Sequence, residues 1–132
     1  MRREFSVDFH ATVHDAPIFG YLGALAAYRE SGQWLDSQLE YLRANRDAVE
    51  NAVAQMPGLA MAHVGATYLA WIDASELGVR DPQALFLAHG VALSQGAQFG
   101  AGQFVRLNFG TQRARLAEAL RRMAGALAAA RA

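Results

Sequence analysis

Phe104-Val105-Arg106-Leu107-Asn108-Phe109 is the stretch that decides how this chain folds. Successive side chains of a strand point to opposite sides, so Phe104, Arg106 and Asn108 share one face and Val105, Leu107 and Phe109 share the other. A guanidinium does not lose its proton, and taking it out of water costs free energy unless an anion pairs with it. Its planar fork matches a carboxylate bidentately. Two partners would satisfy Arg106: an Asp or Glu of the chain in a structural ion pair, or the carboxylate of a ligand. The residues alone leave both open.

The neighbours of this strand extend the pattern. Ser94 to Gln103 holds Gly96, Gly100 and Gly102 and is expected to be a mobile loop gating access to Arg106, with a brief strand before it at Val91 to Leu93. Gly100-Ala101-Gly102 is too short a glycine signal for a phosphate-binding loop. Downstream, Thr111 is the expected cap of a helix from about Gln112 to Ala130, whose apolar stripe is Leu116, Leu120, Met123 and Leu127. Asp81-Pro82 starts a short helix that Gly90 ends. Thr67-Tyr68-Leu69-Ala70-Trp71-Ile72-Asp73 is a second strong strand, apolar on both faces and so expected to be covered on both. A short strand from Leu59 to Val64 follows the Pro57-Gly58 turn.

Two helices come earlier. The first starts at Asp15-Ala16-Pro17 and carries Ile18, Tyr21, Leu22, Leu25 and Tyr28 at helical spacing, with Gly32 as its stop or kink. The second runs from about Trp34 to Gln55, with a buried stripe of Leu35, Leu39, Leu42, Val49, Val53 and Met56 interrupted by Arg46. Phe5 to His14 alternates strictly between apolar and polar residues, as an extended segment does. The order is extended, α, α, β, β, α, β, β, α. That predicts an α/β (α+β) sandwich in which a small sheet of about three to five strands is packed by helices.

Composition narrows the chemistry. A chain of 132 residues fits one domain or part of a larger one. It has 12 acidic and 12 basic residues, all the basic ones are arginine, and there is neither lysine nor cysteine. A disulfide scaffold, a Cys-bearing zinc site, a thiol nucleophile, a P-loop lysine and Schiff-base catalysis on a side chain of this sequence are therefore excluded. Zero net charge argues against a nucleic-acid-binding domain. Arg113, Arg115, Arg121, Arg122 and Arg131 against Glu118 make the last helix basic; a solvated face over the core stripe is expected, with contact to nucleic acid or anionic lipid as the weaker alternative. No apolar run approaches a membrane span of ~20 residues. Met1-Arg2-Arg3-Glu4 leads into no signal peptide, so a cytoplasmic protein is expected. The 53% apolar content fits either a good core or a surface that expects a partner. Along a strand, His10 and His14 stand roughly 13 Å apart, too far to share an ion even with Asp8 nearby. His63 and His89 have no local partners, and no carboxylates are paired for acid–base work. No metal site is expected.

Several segments also resemble a known family. Thr67 to Asp73, Gly90-Val91-Ala92-Leu93 through Phe99-Gly100, and Phe104 to Gly110 are similar to segments of the fold-type I pyridoxal-phosphate enzymes. Ala26-Ala27-Tyr28, Gly32, Trp34-Leu35-Asp36 and Asn45-Arg46 fit the same pattern. Over about Pro17 to Leu127 the chain resembles the C-terminal part of class I/II aminotransferases of the cystathionine β-lyase (C–S lyase) branch, which have the aspartate aminotransferase-like fold.

The resemblance implies that residues 1–32 belong to the large cofactor domain and 33–132 to the small domain, with a long interdomain helix. It implies that Arg106 binds the substrate α-carboxylate. The family's cofactor lysine lies in a Ser-x-x-Lys segment upstream of anything present here, so no cofactor-binding residue is expected. Pyridoxal 5'-phosphate would belong to the parent enzyme, and this chain alone would be inactive. The implied partners are an amino-acid substrate, an N-terminal cofactor domain and further copies in a homo-oligomer, with no nucleic acid and no membrane. Gln103, where the family usually has glycine, and Gly65, where an acidic residue is common, depart from the pattern. Lyase and transaminase both remain open. The alternative is a free-standing α/β binding or dimerisation module.

Overall fold

The computed structural model describes residues 17–130. The alternating segment from Phe5 to His14, both of its histidines, Asp15 and Arg131 lie outside the described residues. The chain divides into two compact units, one ending at Gln38 and the other beginning at Leu39.

In the first unit, helix α1 spans Ile18–Glu30. Pro17, extended at φ −63° and ψ 152°, is its N-cap. Its carbonyl accepts from the backbone N–H of Gly20 at 2.8 Å. No residue of α1 is buried, and Phe19 and Tyr28 are 82% and 92% exposed. The break after α1 falls at Ser31, whose N–H donates to the carbonyl of Ala27. Gly32 is therefore the first residue of helix α2 (Gly32–Ala54), not a stop.

Burial along α2 starts later than the apolar stripe predicts. Leu35 and Leu39 are exposed and Leu42 is half-buried. The buried positions of α2 are Asn45, Val49 and Val53, and Met56 continues the row just beyond the helix.

The second unit holds a four-stranded antiparallel sheet in the order β1-β2-β4-β3. The strands are β1 (Ala60–Met61), β2 (Leu69–Asp73), β3 (Ser94–Gln95) and β4 (Phe104–Asn108). The central pair is β2 and β4, in register from Leu69 opposite Asn108 to Asp73 opposite Phe104. Strand β1 keeps only two residues of the expected Leu59–Val64 run. Strand β2 begins at Leu69 because Thr67 turns into the left-handed region at φ 69°, and its Oγ1 accepts from the Leu69 N–H. Val91 to Leu93 is not a strand. Val91 and Leu93 are core residues, and the paired strand β3 follows at Ser94.

Helices α3 (Pro82–Ala88) and α4 (Arg113–Ala129) complete the layer. The start of α3 is as read from sequence: Asp81 accepts from the Ala84 N–H, and Pro82 needs no donor in the first turn. The chain then leaves α3 through Gly90 at φ 76°. Helix α4 is capped by Gln112 rather than Thr111, and with no side-chain hydrogen bond. Its buried residues include the four predicted ones, Leu116, Leu120, Met123 and Leu127.

One core joins these elements. Ala70 and Ile72 of β2 and Val105 and Leu107 of β4 pack with Val49, Val53, Phe86 and the α4 stripe. Cover on both faces of β2 was the expectation, and the structure corrects it. Ala70 and Ile72 are fully buried, whereas Leu69, Trp71 and Asp73 are half-buried. Among the described residues, the helices that join this core lie on one side of the sheet. The other side carries Trp71, Phe104, Arg106 and Asn108. No described helix is long and apolar enough to cross a membrane.

Candidate functional site

The free face of the sheet is organised around Arg106. Pairing places Ser94 of β3, Arg106 of β4 and Trp71 of β2 in one row across three strands. Directly opposed residues of a ladder project to the same face. The Nη2 of Arg106 donates to the Ser94 hydroxyl at 3.2 Å. Its Cζ lies 4.6 Å from the centroid of the Phe99 ring, a cation–π contact. Trp71 meets Phe99 edge-on at 5.8 Å and 85°, and stacks on Phe104 at 5.4 Å and 14°.

Arg106 is half-buried. Among the described residues no carboxylate pairs with it; the ion pairs there involve Arg46, His63, Arg121 and Arg122. The structural ion pair that the sequence left open is absent from the described residues. What holds the guanidinium is a hydroxyl and a ring, neither of which neutralises its charge.

The segment before Arg106 is not the mobile loop expected. It is strand β3 followed by a 3-10 turn, Gly96–Phe99. Gly96 is buried there, and a Cβ would run into the carbonyl oxygens of Ala101 and Phe104. Only glycine fits this position. The turn leaves through Gly100 at φ 80°, and the carbonyl of Gln103 accepts from the Ala74 N–H at 3.0 Å.

Beyond Phe109 the backbone is tied down by Asn45. Its Nδ2 donates to the carbonyls of Phe109 and Thr111, both at 3.0 Å. Asn45 is fully buried, the one polar side chain among the described core residues. An open cavity of about 630 Å³ lies against β2 and shares Trp71 and Phe104 with the aromatic cluster, but Arg106 does not line it.

Neither histidine expected to stand alone does so. His63 Nδ1 is 3.0 Å from Glu50, and His89 Nδ1 is 3.0 Å from the carbonyl of Leu85. The Val64 N–H donates to Glu50 and holds its carboxyl below the ordinary value, with a smaller contribution from His63. Among the described residues no cluster of His, Asp or Glu could hold a metal ion. On α4, Arg121 and Arg122 both donate to Glu118, and the Arg113 guanidinium lies 4.8 Å over the Tyr41 ring. Arg113, Arg121 and Arg122 are thus engaged within the chain.

This antiparallel sheet, with helices on one side and on the other an arginine that has no carboxylate partner among the described residues, is of the aspartate aminotransferase-like fold. The crystal structure of OvoB shares 48% identity and a TM-score of 0.89 with this chain, over 96% of it and 33% of that chain. Cystathionine beta-lyase PatB of Bacillus subtilis is 37% identical over 108 residues, 77% of this chain and 28% of PatB. A cystathionine beta-lyase of Corynebacterium glutamicum is 33% identical over 83% of this chain and 30% of its own length. No protein-family model matches the chain. The chain spans about a third of the length of the curated relatives it matches. Its relatives are proteins named cystathionine beta-lyase, its structural neighbours include a putative pyridoxal-phosphate-bound aminotransferase and a C–S lyase, and the likeness is that of a C-terminal piece of fold-type I enzymes.

Sequence reasoning reached Arg106 and missed its immediate neighbours. Ser94 and Phe99 were read as parts of a flexible loop. The available signal was Gly96, whose lack of a side chain lets the turn close against Phe104.

Proposed function

We propose that this chain is the substrate-gripping part of a pyridoxal-phosphate-dependent enzyme of the cystathionine β-lyase type acting on an amino acid. Arg106 is the residue that holds the substrate α-carboxylate. The observation that carries this reading is the half-buried guanidinium with no carboxylate partner among the described residues. A bound carboxylate would pair with it bidentately and fix the amino acid's orientation, a contribution of binding and positioning.

The chain does not fit the cofactor as its covalent holder, since it has no lysine. Bound in a whole enzyme, pyridoxal phosphate supplies an electron sink for charge developing at the substrate Cα. This chain supplies the carboxylate grip and, alone, no turnover. We assign residues 1–32 to the large cofactor domain and 33–132 to the small domain. The exposed apolar side chains of α1, Ile18, Phe19, Leu22 and Leu25 among them, support contact with that cofactor domain or with a second copy.

The test is a titration of the ¹⁵N-labelled chain with L-alanine and, separately, with ethylamine. L-alanine is expected to move the Arg106 side-chain Nε–Hε resonance saturably, and ethylamine is not. L-alanine is also expected to shift the backbone amides of Ser94 and Trp71, the residues paired with Arg106, and in Arg106→Gln those shifts disappear. An Arg106 resonance indifferent to L-alanine overturns the assignment.

A further inference from the structure

We propose that Ser94, Phe99 and Trp71 are positioning residues that hold the Arg106 guanidinium in a fixed plane while leaving its charge unneutralised. The inference rests on the carboxylate-binding reading of Arg106 and adds what makes that arginine specific.

An arginine side chain has many rotamers, and a carboxylate must find both fork donors in one orientation to be held bidentately. An Asp or Glu beside Arg106 would fix the fork but would also occupy the charge. The structure achieves the first without the second. Ser94 stands directly opposite Arg106 on β3 and accepts from Nη2 at 3.2 Å. Phe99 covers one face of the guanidinium at 4.6 Å. Trp71, directly opposite Arg106 on β2, meets Phe99 at 85° and is itself stacked on Phe104. Among the described residues nothing pairs with Nε or Nη1, and Nη2 keeps its second N–H, so a fork that includes Nη2 remains for a ligand.

The support is built into the backbone. Ser94 and Phe99 flank Gly96, whose missing Cβ lets the turn close on the carbonyls of Ala101 and Phe104. The strand pairing that places Ser94 and the turn that places Phe99 are thus joined through one glycine. Trp71 does not touch the guanidinium; it acts through Phe99.

Two readouts on the full chain separate this inference from the one it rests on. Without ligand, the Arg106 Hε resonance is expected to be shifted upfield by the Phe99 ring, and rotation about the Nε–Cζ bond to be slowed by Ser94. Phe99→Leu abolishes the upfield shift and Phe99→Tyr restores it. Ser94→Ala speeds the rotation and Ser94→Thr restores it. Trp71→Leu reduces the upfield shift, with Phe99 still present. Backbone amide spectra of Ile72 and Val105 report whether each variant is folded. Should Phe99→Leu unfold, Ser94→Ala and Trp71→Leu carry the decision. An unshifted wild-type resonance, or variants whose guanidinium signals match the wild type, overturns the positioning role.

The second readout is L-alanine affinity. Phe99→Leu and Ser94→Ala are each expected to weaken it about three- to tenfold, the span of a lost cation–π contact or hydrogen bond. Unchanged affinity in both overturns the inference. A wild-type chain with ordered guanidinium signals and no response to L-alanine overturns the carboxylate reading and leaves the positioning result standing.

Discussion

The two faces of the sheet are built from the same two strands and do different work. On the inner face, Ala70, Ile72, Val105 and Leu107 are at most 5% exposed and meet three helices. On the outer face, Trp71, Phe104 and Arg106 are half-buried; Trp71 stacks on Phe104 and meets Phe99, and Arg106 meets Phe99 and Ser94. The period of two sends every second residue to each side, so a five-residue strand serves stability and chemistry at once. The difference teaches that the aromatic cluster on the outer side is a support for one charge, not a second core.

Four measurements would break or sharpen that contrast. The largest effect is expected inside. Phe86→Ala removes a fully buried ring from the core and should cost about 3–5 kcal/mol in denaturant unfolding. A cost below about 1 kcal/mol would mean that the inner face is not the stabilising one. Asn45→Ala comes next. It leaves the carbonyls of Phe109 and Thr111 without their donor in a buried place, for about 1–3 kcal/mol. Tightly preserved stability there would show that those carbonyls find other partners.

On the outer face the order of effects reverses. Arg106→Gln should change unfolding free energy by about 1 kcal/mol or less, since only a hydroxyl bond and a ring contact are lost. The backbone amides of Ser94 and Trp71 should nevertheless no longer respond to L-alanine in this variant. A large stability loss would instead place Arg106 with the inner face.

The smallest effect belongs to neither face. Hydrogen bonds from Arg121 and Arg122 pull the Glu118 carboxyl from 4.5 to about 2. A carboxyl whose folded value is depressed stabilises the fold above its unfolded value and stops doing so as pH falls through the folded one. The contribution of Glu118 is therefore present above about 4.5 and lost on the way down to about 2. Comparing melting temperatures of the wild type and Glu118→Gln across that window should show a small gap that closes toward low pH. The group is exposed, so salt should shrink the gap. A gap that widens on acidification would show that the triad does not form in solution.

Much of the fold was legible because its signals are local. The short run Phe104 to Phe109 read as a strand with Arg106 and Asn108 on one face and Val105, Leu107 and Phe109 on the other, which is β4. Asp81-Pro82 gave the start of α3, and the spacing of Leu116, Leu120, Met123 and Leu127 gave the buried side of α4. The misreadings share a different cause. Val91 and Leu93 were read as a strand because they are apolar, yet apolarity reports burial and not pairing; the ladder uses the polar Ser94 and Gln95. Leu35 and Leu39 belong to a helical stripe whose burial begins only at Asn45. His63 and Glu50 are 13 residues apart and meet only through the turn between α2 and β1.

By itself, the sequence determined the element order, the absence of any lysine to hold a cofactor, and an arginine on an otherwise apolar strand, because composition and periodicity are properties of neighbours along the chain. The tertiary structure alone decided whether that arginine had a protein carboxylate, which face of β2 was covered, and which side chains hold the guanidinium in place. Those outcomes depend on strand register and on how closely backbones approach, as at Gly96. Register and close approach are settled only when distant segments meet.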